Sequence, residues 1–215
     1  MYKFNSPVST IDVNEEASMI YVGLWDKTVH FIDVAEKKVS QSVLALTDAV
    51  KVIIVTPKWI FVAGADHIIR AWDHKLKKVK EYVGHKGGVH ALKIHENFLF
   101  SGGDDRTIRV WDMETGALLN TLTSHDNGVT VLEVANGELF SGSYDHTIIC
   151  WDIEEIRQQI EERQDMQEEE TLTKAMEAFY KKKPKKKKVT KKGGTKTSKK
   201  TVTKKTTKKV TTKKK

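Results

Sequence analysis

The chain has 215 residues, 39% of them hydrophobic, which suits one domain with a core and a further part that is less ordered. The net charge of +8 hides a division: residues 1–180 carry 18 basic and 29 acidic side chains, net −11, and residues 181–215 carry 19 Lys and no acid. The single cysteine, Cys150, excludes an intrachain disulfide, no apolar run approaches the ~20 residues of a bilayer span, and "MYKFNSPVST" lacks the core of a secretory signal; the expectation is a soluble, intracellular protein.

Along the chain, four segments align: about residues 5–34, 46–74, 84–113 and 124–152. Asp26, Asp66, Asp105 and Asp145 recur at spacings of 40, 39 and 40. Three residues after each stands Val29, Ile69, Ile108 or Ile148, and seven after it a second acid, Asp33, Asp73, Asp112 or Asp152. Val50, Val89 and Val129 precede their Asp by 16 residues and open runs with period-2 alternation, "VKVIIV", "VHALKI" and "VTVLEV". Such alternation predicts strands, three or four per copy, with "ALLNTLTSH" as an outer strand leading into the last copy. A sheet this small cannot bury both faces alone, so neighbouring copies must stack.

From Asp152 the pattern changes. Residues 153–180 contain no Gly or Pro, and Asp152 with Glu155 fits a capping box, so a charged helix is predicted. Its short apolar stripes, Ile153, Ile156, Ile160 and then Leu172, Ala175, Met176, Phe179, are out of phase, which favours a solvated helix over a docked one. Residues 181–215, 19 Lys and nine Thr without an aromatic, predict a disordered tail. Lys185, Lys186, Lys187 and Lys188 form a run like a nuclear-import signal, which tips the expected location slightly from cytoplasm to nucleus. The same tail suits sequence-blind, salt-sensitive binding to RNA, DNA or another acidic surface.

The repeats resemble the WD-repeat β-propeller family: Trp72-Asp73, Trp111-Asp112 and Trp151-Asp152 are its signature dipeptides, and Gly84-His85 is the matching upstream pair. The resemblance covers roughly residues 2–152 and implies an all-β propeller of four WD-type blades, followed by one α-helix and the basic tail. It also implies a buried hydrogen-bonded network in each well-kept blade: His85, Ser101, Asp105 and Trp111, then His125, Ser141, Asp145 and Trp151. The second copy has Leu46 and Val62 where His and Ser would stand, and the first has Val22 and Ile32 for Ser and Trp, so those blades are expected to be held by apolar packing alone.

Family propellers mostly have about seven blades, so four suggest a truncated chain or a half-ring, which could pair with itself or with a second propeller half; a closed four-blade ring ranks last. "YKF" at Tyr2–Phe4 could supply the outer strand that the last copy lacks. Ser101, His85 and Asp105 also have the composition of a nucleophile, base and acid. Their repetition at the same spacings as Ser141, His125 and Asp145 argues for a structural element instead, since a triad is one site. No catalytic, cofactor or metal site is assigned: His90, His95 and Asp104 lack metal-site spacing, and "SGGDD" lacks the Lys-Ser/Thr element of a phosphate loop. The function expected is a non-enzymatic interaction scaffold. Its partner-binding candidates flank the repeated Asp: Trp25, Asp104, Arg106, Tyr144 and His146, with Ala65, Lys27, His67, Lys86 and Asp126 nearby. Two alternatives are a nuclear or nucleolar nucleic-acid-associated factor and the substrate-targeting fragment of a larger kinase or ubiquitin ligase.

Overall fold

The structure, a computed structural model, describes residues 1–181, with Tyr180 described for its backbone only. Two compact units divide the chain, Met1–Glu170 and Thr171 onward.

The first unit consists of four antiparallel sheets in chain order. Blade 1 comprises β1 (Val8–Asn14), β2 (Met19–Leu24), β3 (Thr28–Asp33) and β4 (Lys38–Leu44). Blade 2 comprises β5 (Val50–Val55), β6 (Ile60–Gly64), β7 (Ile68–Trp72) and β8 (Lys78–Val83). Blade 3 comprises β9 (Val89–His95), β10 (Phe98–Gly103), β11 (Thr107–Asp112) and β12 (Leu118–Thr123). Blade 4 has three strands, β13 (Val129–Ala135), β14 (Glu138–Ser143) and β15 (Ile148–Asp152), and α1 (Ile153–Lys181) follows. The strand read as leading into the last copy, β12, is hydrogen-bonded to β11 and belongs to blade 3.

Strands β1, β5, β9 and β13 lie side by side in that order, and no comparable packing joins β13 back to β1. The first unit is therefore an open arc, and its core is built between blades. One cluster joins Tyr21, Val29 and Phe31 of blade 1 to Val50, Ile53 and Ile60 of blade 2. A second joins Phe61, Ile69 and Tyr82 to Val89, Leu92 and Trp111, and a third joins Phe100, Ile108 and Val110 to Val129, Leu132 and Leu139. Each residue type sits where the period-2 pattern puts it, one face toward the preceding blade and one toward the next.

The second Asp of each copy explains how a blade ends. Asp33 Oδ1 accepts the Glu36 amide at 2.8 Å, Asp73 Oδ1 those of Lys75 and Lys77 at 2.9 Å, and Asp112 Oδ1 that of Thr115 at 2.5 Å. These Asx turns start the outer strands. Asp152 presents the same carboxylate to Glu154 and Glu155 at 2.8 and 3.2 Å and caps a helix instead, because a run of helix formers follows.

Three expectations are corrected here. Tyr2–Phe4 form no strand on blade 4; Phe4 packs on blade 1 with Val22, Leu24 and Ile32 and lies 5.0 Å from the His30 ring. The start of α1 is docked and not solvated: Ile153, Ile156 and Ile160 are buried with Phe98, Phe100 and Leu122. Arg157 lies over the Phe98 ring and pairs with Glu96 at 2.5 Å, and Arg163 donates to Asn120 at 2.8 Å. Three isoleucines on one face suffice for docking even though the later stripe is out of phase with them; Leu172, Met176 and Phe179 remain exposed. Blade 2, expected to be held by apolar packing alone, also carries an ion pair between Arg70 and Asp66.

Candidate functional site

Blade 3 shows how the repeat places its polar residues. Asp105 lies in the turn between β10 and β11, Ser101 on β10, Trp111 on β11, and His85 in the loop between β8 and β9. The His85 Nδ1–H donates to the Asp105 carboxylate at 2.9 Å, the Ser101 hydroxyl meets Nε2 at 2.7 Å, and the Trp111 indole N–H donates to Ser101 Oγ at 2.8 Å. Because a carboxylate only accepts, the proton sits on Nδ1 and Ser101 donates to Nε2. Burial alone would raise the Asp105 pKa. The hydrogen bonds from His85, the Lys86 amide and Thr107 outweigh it and hold the carboxyl well below its ordinary range.

Blade 4 repeats the set. His125 Nδ1 reaches Asp145 at 2.8 Å, His125 Nε2 reaches Ser141 at 2.8 Å, and Trp151 Nε1 donates to Ser141 at 2.8 Å. The Thr147 hydroxyl, His125 and the Asp126 amide keep Asp145 low in pKa. Both serines are fully buried, and an indole N–H occupies the lone-pair side of each oxygen. No substrate carbonyl can approach such an oxygen, so the Asp-His-Ser relay has the polarity of a triad without access to one.

In blade 2, Leu46 and Val62 replace His and Ser, and the polar contacts rearrange. Asp66 accepts Arg70 Nη1 at 2.7 Å and the amide and hydroxyl of Thr47 at 2.9 and 3.0 Å, and Glu81 lies 3.3 Å from Arg70 Nε. The expectation of apolar packing alone fails here because Arg70 takes the carboxylate that a histidine would otherwise claim. Arg109, at the same position in blade 3, is held 3.8 Å from Asp105, since His85 already occupies that carboxylate. Two buried donors, Trp72 Nε1 and Arg109 Nε, have no partner among the described residues. For Trp72 the substitution explains it, since Val62 stands where the other blades place a serine. Blade 1 carries the apolar version with Phe4, Val22 and Ile32 together.

The rim candidates lie on matching turns. Lys27, His67, Arg106 and His146 all adopt positive φ, 65–77°, one residue after the repeated Asp, and all four are exposed. The same backbone choice in four copies marks a turn requirement of the repeat. One residue before the Asp, Ala65 and Asp104 flank Gly88, and Asp104 and Tyr144 flank Gly128, forming a row across blades 2 to 4. Trp25 and Tyr144 are exposed, with Lys51 Nζ 4.3 Å from the centre of the Trp25 ring. Asp104 accepts from His90 Nε2 at 2.8 Å. Lys86 and Asp126 are exposed beside it, their amides bound to Asp105 and Asp145.

Lys51 and His90 went unnoticed in the sequence as rim residues. Both follow the valine that opens the inner strand, and the period could have flagged them. Among the described residues no three His, Cys, Asp or Glu side chains are placed to hold a metal ion, and no helix is long and apolar enough to cross a membrane. The Lys185–Lys188 run and all of the tail after Lys181 lie outside the described residues.

The family model "WD domain, G-beta repeat" matches residues 76–112 and 116–152. The chain thus carries WD repeats. The crystal structure of the WD40 β-propeller domain of Doa1 superposes with a TM-score of 0.64 at 24% identity, covering 69% of this chain and 51% of that one. That of the computationally designed Ika4 protein superposes with a TM-score of 0.65 at 23% identity, covering 70% and 94%. Myosin heavy chain kinase C of Dictyostelium discoideum is 32% identical over 114 residues, and the probable SCF ubiquitin ligase subunit sconB of Talaromyces marneffei is 46% identical over 52 residues. These matches span 52% and 24% of this WD-repeat chain but only 15% and 8% of the relatives.

Proposed function

We propose that this WD-repeat protein is a non-catalytic adaptor that binds protein partners through the turn rim of its blades. The observation that carries this reading is the pairing of a sealed interior with an open rim. The His-Ser-Asp-Trp sets are buried with their hydrogen bonds spent within the blade, whereas Trp25, Asp104, Arg106, Tyr144 and His146 stand exposed on turns that rigid sheets hold in register. Aromatic and Arg side chains on a fixed scaffold bind at low entropic cost.

The test is affinity capture with the full chain and with a Trp25→Ala, Arg106→Glu, Tyr144→Ala variant matched to it in melting temperature. Loss of the captured proteins from the variant is expected; an unchanged set overturns the rim assignment. A second reading, the substrate-targeting portion of a larger kinase or ubiquitin ligase, draws support from the kinase and SCF-subunit relatives. The nucleic-acid reading rests on the tail alone. Removal of residues 182–215 with no change in RNA retention at low salt would end it.

A further inference from the structure

The two end blades carry the two halves of an interface that the chain builds three times internally. Every internal contact sets a valine at the bulge of one inner strand against the preceding blade. Val50, Val89 and Val129 pair with Gly64, Gly103 and Ser143 just before a register shift, and all three are fully buried. Val8 holds the same register against Leu24 in blade 1, yet it is 51% exposed, and Ile11, the counterpart of buried Ile53, Leu92 and Leu132, is 61% exposed.

The opposite faces mirror this. Val29, Ile69 and Ile108 are covered by the next blade, whereas Ile148 at the same position is 77% exposed, with Val131 at 61% beside it. The fit is specific. A Cβ on Gly102 would lie 2.6 Å from Val129 Cγ1, and one on Gly23 would lie 2.6 Å from Val50 Cγ1, so these two valines seat over a glycine, and Val89 packs with Ala63 at the corresponding position. Gly142 is the matching position on blade 4, where the neighbouring atom is Val131 Cγ2 of the same blade and no valine of a further blade, and Val8 is the unseated valine on blade 1. Phe140, Gly142 and Ile148 repeat Phe100, Gly102 and Ile108 residue for residue.

We propose that a second copy of this chain fills both faces, blade 4 of each copy seating blade 1 of the other in a two-fold, closed ring of eight blades. The occupant is a second copy because the exposed surfaces are, side chain for side chain, the two sides of this chain's own interface. A two-fold operation satisfies both faces at once, and eight lies within the range of propeller sizes. This inference does not depend on the rim reading, and its test uses different residues.

The full chain is expected to be a dimer by sedimentation and light scattering. Ile148→Asp, already exposed in the single chain, should raise the dimer Kd at least about a hundredfold by burying an unpaired charge at both contacts. Val79→Asp, on the exposed outer strand of blade 2, should leave the dimer intact. Val8→Asp, likewise exposed in the single chain, should weaken the dimer in the same way from the other face. A monomeric wild-type chain, an Ile148→Asp or Val8→Asp variant that stays dimeric, or a ladder of higher oligomers each overturns the proposal.

Discussion

Blades 2 and 3 have the same strands, the same turn and the same Trp-Asp ending, but they are fastened differently. In blade 3 a histidine takes the turn carboxylate and passes a hydrogen-bond chain through Ser101 to Trp111, leaving Arg109 at 3.8 Å from Asp105. In blade 2, with Leu46 in the histidine position, Arg70 closes to 2.7 Å and Thr47 completes the carboxylate's shell. The turn Asp is thus the common requirement and its donor is interchangeable. A carboxylate buried in a tight turn must be paired, and whichever donor the repeat offers will pair with it. The serine is not interchangeable in the same way, since its loss leaves the Trp72 N–H without an acceptor.

This comparison can be broken at several points. The largest effect is expected from Asp105→Ala, which strands His85, the Lys86 amide and Thr107 together. It should cost about 3 kcal/mol in urea-midpoint measurements, as a broken buried network does. Asp66→Ala should cost somewhat less, about 2 kcal/mol, because Arg70 keeps Glu81 as a partner. A cost equal to or above that of Asp105→Ala would mean that the arginine version is the stronger fastening.

Next come the tryptophans. Trp111→Phe removes a satisfied donor and leaves Ser101 short of one bond, whereas Trp72→Phe removes a donor that has no partner. The first should be more destabilising by about 1 kcal/mol, and equal melting temperatures would refute the accounting of the orphaned N–H.

Acidification should act most gently. Asp66 and Asp105 have folded pKa values below the ordinary value of 3.8, so the stability they contribute is complete above that value. It is lost as pH falls through it toward the folded values, because the unfolded chain then binds more protons. The urea midpoint should fall below about pH 4, and Asp105→Asn should flatten that fall.

The sequence made much of the arrangement legible, and the reasons are local. Period-2 alternation in "VKVIIV" and "VTVLEV" and a turn Asp every 40 or 39 residues specify strands and their ends from neighbouring residues alone. Membership of His85, Ser101, Asp105 and Trp111 in one set was readable because the set recurs one copy later at equal spacing. The pairing of Arg70 with Asp66 was not readable, since an arginine four residues after the Asp also stands in blade 3 and does something else there. Nor was the role of Phe4. A two-residue longer hairpin between β1 and β2 shifts its spacing from Asp26, and only the register of Val8 against Leu24 shows that Phe4 stands where other copies have Leu46 or a histidine.

What the sequence determined by itself is the repeat: strand periodicity, turn carboxylates and the His-Ser-Asp-Trp sets, all fixed by contacts within about 40 residues. Only the tertiary structure decided which donor takes each carboxylate, where Phe4 and the first turns of α1 dock, and which blade faces remain uncovered. The physical reason is competition. Hydrogen-bond partners and apolar surfaces far apart in the chain contend for the same place, and only their positions in the fold determine which contact forms.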